Sequence, residues 1–181
     1  KDYANFILEV EYKVDPTLNC GVQIRSNSLP DYKNGQVHGY QVEIDPADRG
    51  WSGGIYDEGR RGWLYDLSAD PAARYAFRQN DWNHYRIEAI GDRIRTFVNG
   101  VPAANLTDGM TATGFIGLQV HGIGNRDETL QVRYRNVRIQ DLGEKTDYRT
   151  PEIETYTHEG PLVKEGAAFR KNISGVSPPG H

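Results

Sequence analysis

Apolar and polar residues alternate with a period of two along most of the first 142 residues, the signature of strands that bury one face. Phe6, Leu8, Val10 and Tyr12 alternate with Ile7, Glu9, Glu11 and Lys13 until Asp15-Pro16 breaks the run. Val22 and Ile24 alternate with Gly21, Gln23 and Arg25, and Ser26–Asp31 ends that strand in a turn. Tyr40, Val42 and Ile44 face one way while Gln41, Glu43 and Asp45 face the other. Gly54–Asp57 reads as a short strand, and Tyr85, Ile87 and Ala89 mark a further one. Gly91-Asp92 and Asn99-Gly100 are hairpin turns flanking Arg93–Val98, with Val101-Pro102-Ala103 leading away. Phe115–His121 and Leu130–Asp141 complete the set. The one helical stretch is Asp70–Arg78, where Pro71 suits a first turn. Eight or nine short strands with one minor helix predict an antiparallel sandwich or barrel.

The character changes after Leu142-Gly143, where prolines and mixed charges replace alternation. Residues 1–142 therefore read as one domain and residues 143–181 as an extended tail or linker. The chain opens on Lys1-Asp2 and runs directly into a strand, with no initiator Met and no leader pattern, so it reads as part of a longer product.

Composition narrows the function classes. A formal charge of −4 over 181 residues leaves no basic stripe for a nucleic acid partner. One cysteine excludes an internal disulfide framework and a multi-thiolate zinc site. No apolar run is long enough for a transmembrane helix.

Gly50-Trp51-Ser52-Gly53-Gly54 fits the G-x-S-x-G pattern, but a nucleophile elbow needs a helix after the serine and Ile55-Tyr56 reads as strand, so Ser52 is not expected to be catalytic. A face carries more. On three strands the positions opposite the core are Gln23 and Arg25, then Gln41, Glu43 and Asp45, then Gln119 and His121. If those strands are neighbours, one sheet presents acids, an arginine, a histidine and three amides, groups that can chelate a cation or hydrogen-bond sugar hydroxyls. The alternative is the ordinary solvated side of a half-buried sheet, though lysine and threonine are missing from it. Trp51, Trp63, Tyr65 and Tyr32 sit in predicted loops beside this face and either stack on sugar rings or anchor those loops. Arg60-Arg61 either clamps an anion or pairs with Asp57 and Glu58. Asn105-Leu106-Thr107 and Asn172-Ile173-Ser174 match the glycosylation sequon.

Together the segments Tyr3-Ala4-Asn5-Phe6-x-Leu8, Gly21-Val22-x-Ile24-Arg25, Gly39–Asp45, Gly53–Asp57, Trp82-Asn83-x-Tyr85-Arg86-Ile87, Val98-Asn99-Gly100, Gly114–Gly122 and Arg135–Ile139 resemble the 3-keto-disaccharide hydrolase family, in order, from Lys1 to Leu142. The resemblance implies an all-β, concanavalin A-like jelly-roll β-sandwich of two antiparallel sheets and a secreted, periplasmic or cell-surface bacterial setting. Family members usually begin several tens of residues earlier, with a strand and hairpin. The expectation is thus a sandwich lacking its N-terminal strands, with an edge left for a partner chain or domain, or for Glu144–His181, to cover.

The chemistry implied is elimination. A ketone at C3 acidifies the C2 hydrogen, a base removes it, the C1 oxygen leaves, and water adds back. The resemblance and the face together nominate Glu43 or Asp45 with His121 as base or as holders of one divalent cation (Glu43 and His121), and Arg25 as oxyanion stabiliser. Gln23, Gln41, Gln119, Trp51, Trp63 and Tyr65 would bind the carbohydrate, and no organic cofactor is called for. The competing readings are a non-catalytic carbohydrate-binding module and a structural or interaction domain of a larger extracellular protein.

Overall fold

The computed structural model describes residues 1–146. The predicted tail beyond them, with the Asn172 sequon, lies outside the described residues. Ten strands form two five-stranded antiparallel sheets. The strands are β1 (Asn5–Val14), β2 (Cys20–Asn27), β3 (His38–Ile44), β4 (Ile55–Glu58), β5 (Gly62–Tyr65), β6 (Asn83–Ile90), β7 (Arg93–Val98), β8 (Val101–Thr107), β9 (Phe115–Val120) and β10 (Val132–Gly143). One sheet has the order β10-β1-β6-β7-β8 and the other β5-β4-β3-β2-β9. The expected two-sheet jelly-roll sandwich is what the chain forms.

The alternation seen in the sequence sets the layers. Phe6, Leu8, Val10 and Tyr12 of β1 and Tyr85, Ile87 and Ala89 of β6 face Val22, Ile24, Tyr40, Val42 and Ile44 across one buried core. Each such side chain contributes about 1.5–3 kcal/mol when fully withdrawn from water. Tyr12 and Tyr85 pack with ring centroids 4.4 Å apart, and the Tyr85 hydroxyl donates to the backbone carbonyl of Glu43, tying the sheets together directly behind that residue. The helix is shorter than expected. It is a single turn, α1 (Pro71–Arg74), started by Asp70, whose carboxylate accepts from Ala73 N at 3.0 Å.

Two departures from the sequence pattern matter. Gly62–Tyr65 is strand rather than loop, so Trp63 and Tyr65 sit on β5, paired with β4. And β2 is interrupted: its register with β3 and β9 shifts around Arg25, which has φ 44°. Such a bulge reverses the facing of the residues that follow. Gly39 lies against it, where a Cβ would come within 2.7 Å of Ser26 Cα at a φ of +143°, so only glycine fits.

The sandwich is open along one side. Ile116, Leu118 and Val120 of β9 share the inner facing of their partners Cys20 and Val22, yet Leu118 is 41% exposed and Val120 63% exposed. Tyr134 of β10 spans part of the opening, its hydroxyl donating to Gln119 O at 2.9 Å. β9 and β10 are the edge strands on this flank, and nothing among the described residues covers them further.

Candidate functional site

The site is built on the outer face of the β5-β4-β3-β2-β9 sheet, from two rows of side chains fixed by strand register. One row runs Trp63, Tyr56, Gln41, Gln23, Gly117, and the next places Glu43 beside Gly21 and Gln119. Gln23 and Gln119 together with Gln36, Val37, Glu58, Phe115, Gly117 and Leu118 line a depression of about 300 Å³. The loop that supplies Gln36 and Val37 is clamped over the face. Tyr32 and Lys33 both donate to Gly59 O, at 2.8 and 2.7 Å, and the Tyr32 ring lies 3.9 Å from the His38 ring.

A chain of hydrogen bonds crosses the strands. Ser26 Oγ donates to Gln23 Oε1 at 2.8 Å, Gln23 Nε2 donates to Gln41 Oε1 at 2.5 Å, and Gln41 Nε2 donates to Glu43 Oε2 at 2.7 Å. Asn19 donates to the other Glu43 oxygen. Gly21 makes this possible: a Cβ there would lie 2.5 Å from Gln41 Cγ, so only a glycine lets the Gln41 side chain lie across β2. Glu43 is 4% exposed. Burial pushes its carboxyl above the usual carboxylate range, against the opposing pull of Asn19 and Gln41. Gln119 ends the second row, and its Oε1 is buried with no hydrogen-bond donor among the described residues. That acceptor belongs to a residue lining the depression.

The other nominated residues divide. Arg25 is not on this face. The bulge turns its fully buried guanidinium between the sheets, where it donates to Ala4 O at 2.8 Å, Gly91 O at 2.7 Å and Asn5 Oδ1 at 3.2 Å. Asp45 is buried and committed to the turn after β3, accepting from Ala47 N at 3.1 Å and from Arg49. Ser52 is also buried, exchanging hydrogen bonds with the Asp45 backbone. His121 lies just past the end of β9, exposed, with Nδ1 2.8 Å from Gly122 O. Among the described residues no group of three His, Cys, Asp or Glu side chains could hold a metal ion. Both Glu43 oxygens are already engaged, by Asn19 and Gln41.

Of the aromatics, Trp63 stands on the outer face against Tyr56, centroids 5.4 Å apart, and Trp51 at 4.9 Å. The Arg49 guanidinium lies 4.5 Å from Trp51. Trp51 and Tyr65 pack against the core, so of the three nominated aromatics Trp63 is the one on the outer face, beside Tyr56. Tyr56, Glu58, Gln36 and Phe115 were not singled out in the sequence. Tyr56 and Glu58 were legible, since both alternate with the core residue Ile55 and with Asp57, whereas Gln36 depends on the loop fold. The Arg60-Arg61 pair is internal: Asp57 is fully buried between both guanidiniums, and Arg61 reaches on to Asp108 at 2.9 Å.

Comparison with known proteins agrees with this architecture. The structure is similar to a carbohydrate-binding module, CBM66, from Bacillus subtilis, with a TM-score of 0.57 and 16% identity over 78% of each chain. It is also similar to two Parabacteroides distasonis proteins provisionally named glycosyl hydrolases. One matches with a TM-score of 0.53 and 24% identity, covering 78% of this chain and 80% of that one. The other matches with a TM-score of 0.55 and 16% identity, covering 78% and 74%. At these identities the likeness is one of fold. No curated protein matches the chain. The family profile that matches residues 1–140 is the 3-keto-alpha-glucoside-1,2-lyase-like domain, and the chain belongs to that family.

Proposed function

We propose that this domain binds a glycoside over the outer face of the β5-β4-β3-β2-β9 sheet and processes 3-keto-glycosides there, with Glu43 as the base. The observation that carries this reading is the hydrogen-bonded row ending at Glu43, whose raised carboxyl suits proton abstraction near neutral pH. Gln23 and Gln119 would orient hydroxyls in the depression, and Trp63 with Tyr56 would flank the ring. In the step itself the Glu43 carboxylate takes the C2 proton, the C–H electrons form a C1–C2 double bond, and the C1–O bond breaks with its electron pair going to the oxygen, which leaves as the alcohol on taking the proton back from Glu43. Water then adds across the double bond. Gln41 and Asn19 position the carboxylate and stabilise its charged form. A saccharide-processing domain of this family fits an extracellular or periplasmic setting, and the described residues contain no helix that could cross a membrane.

A second reading, a non-catalytic carbohydrate-binding module, is favoured by the burial of Glu43 and by the structural roles of Arg25 and Asp45. Turnover of a methyl 3-keto-glucoside, followed by release of methanol, separates the two. Turnover lost in Glu43→Gln supports catalysis. Saturable binding of the sugar without turnover supports the module, and neither binding nor turnover contradicts both.

A further inference from the structure

The opposite sheet carries a second groove, about 590 Å³ in volume, across β10, β1 and β6. The groove owes its charge to a bulge in β10. Arg138 pairs with Glu9 and Arg135 with Glu11, so β10 spends one residue more than β1 over this stretch. Asn136, at φ 50°, absorbs the extra residue. Residues three apart would otherwise point to opposite faces, and the bulge sets both arginines on the outer one.

The acids in the groove are mostly spoken for. Glu11 accepts from Arg135 Nε at 2.6 Å and from Asn136 at 2.9 Å, while Glu9 accepts from Arg86 at 3.2 Å. Two arginines are held only by long ion pairs. Arg138 is 68% exposed and stands 4.0 Å from its nearest carboxylate, and Arg78 Nε is buried with no acceptor, its Nη1 3.9 Å from Asp81. A buried guanidinium N–H without a partner is costly to leave unmade. Trp82, half-buried, lines the same groove, with the Arg135 guanidinium stacked 3.8 Å from its ring. His84, kept neutral by burial, and Asp81 add hydrogen-bonding groups on the rim.

We infer that this groove is a second ligand site, for a sugar carrying one carboxylate, a uronic acid. The carboxylate would accept from Arg78 and Arg138, hydroxyls would meet Asp81 and His84, and the Trp82 edge would supply apolar surface. The neighbouring Glu9, Glu11 and Asp81 disfavour a phosphate dianion or a polyanion, which they would repel.

The test is titration of the whole chain with D-glucuronate, D-glucose, acetate and inorganic phosphate, followed by calorimetry or ligand-observed NMR. Saturable glucuronate binding is expected, weakened about tenfold or more in Arg138→Gln and in Arg78→Gln, because a charged hydrogen bond is lost. Arg93→Gln, an arginine of the same sheet outside the groove, should leave it unchanged. Arg138 is exposed, so its variant keeps the test sound even if Arg78→Gln melts early. No saturable glucuronate binding, equal binding of glucose, acetate or phosphate, or indifference to Arg138→Gln would overturn the inference.

Discussion

Gln41 joins two neighbours at once: it accepts from Gln23 at 2.5 Å and donates to Glu43 at 2.7 Å. An amide in that position fixes the direction of the whole row, because its oxygen can only accept and its nitrogen can only donate. The row therefore ends with Glu43 as acceptor, and the Gln23 oxygen is held by Ser26 at the other end.

Gly21→Ala should break this arrangement without disturbing the strands. The added Cβ would meet Gln41 Cγ and Cδ at 2.5 and 2.6 Å, forcing that buried side chain aside. The expected result is a loss of saccharide binding of at least about tenfold, since one or more hydrogen bonds of the row are lost, with an unchanged β-sheet circular dichroism spectrum. Titration of the variant beside the parent chain checks it.

Arg25→Met should behave as a folding lesion. Three buried acceptors, Ala4 O, Gly91 O and Asn5 Oδ1, lose their donor. A loss of about 3–5 kcal/mol is expected in urea unfolding, since each buried acceptor left without a donor costs about 1–3 kcal/mol. Any fraction that stays folded should bind and turn over sugar normally, and a selective fall in turnover with stability intact would restore Arg25 to the site.

Asp108 sets an acid limit on stability. Hydrogen bonds from Arg61 lead the causes that hold its carboxyl at about 2, with Tyr40 and Met110 N adding to the pull. A folded-state value below the unfolded one gives stability that is complete above the unfolded value and lost as pH falls through about 2. Asp108→Asn should cost about 1–2 kcal/mol at pH 7. It should also flatten the fall in melting temperature between the ordinary aspartate range and about 2, as thermal scans at stepped pH would record.

The open flank gives a contrast within one layer. Val22 and Val120 share the same inner facing, but one is fully buried and the other 63% exposed. Val22→Ala should cost about 1.5–3 kcal/mol, and Val120→Ala no more than about 0.5 kcal/mol, in parallel denaturant titrations. Equal costs would mean that β9 is covered in solution.

How far the sequence spoke for the site follows from where its period holds. Tyr40, Val42 and Ile44 keep strict alternation, so Gln41 and Glu43 were placed on the right face, and Gln23 and Gln119 with them. Arg25 was misplaced because its strand bulges one residue later than the pattern can register, and a bulge leaves no mark in hydrophobicity. Asp45 and His121 continue the parity of their strands but lie past the strand ends, where loop hydrogen bonds and not the pleat decide direction. Trp63 and Tyr65 were assigned to a loop because a four-residue strand flanked by glycine offers too few positions to show a period.

Whether Glu43 removes a sugar proton from its place in the amide row is decided by the pH profile of kcat/KM on a methyl 3-keto-glucoside for the parent chain and Glu43→Gln. The carboxyl is raised by burial and must be ionised to act, so activity should rise with pH through an inflection above the usual glutamate range. Glu43→Gln should still bind the sugar and lose about 10²-fold or more in turnover, with that inflection gone. Unchanged turnover and an unchanged acid limb in Glu43→Gln would contradict the account.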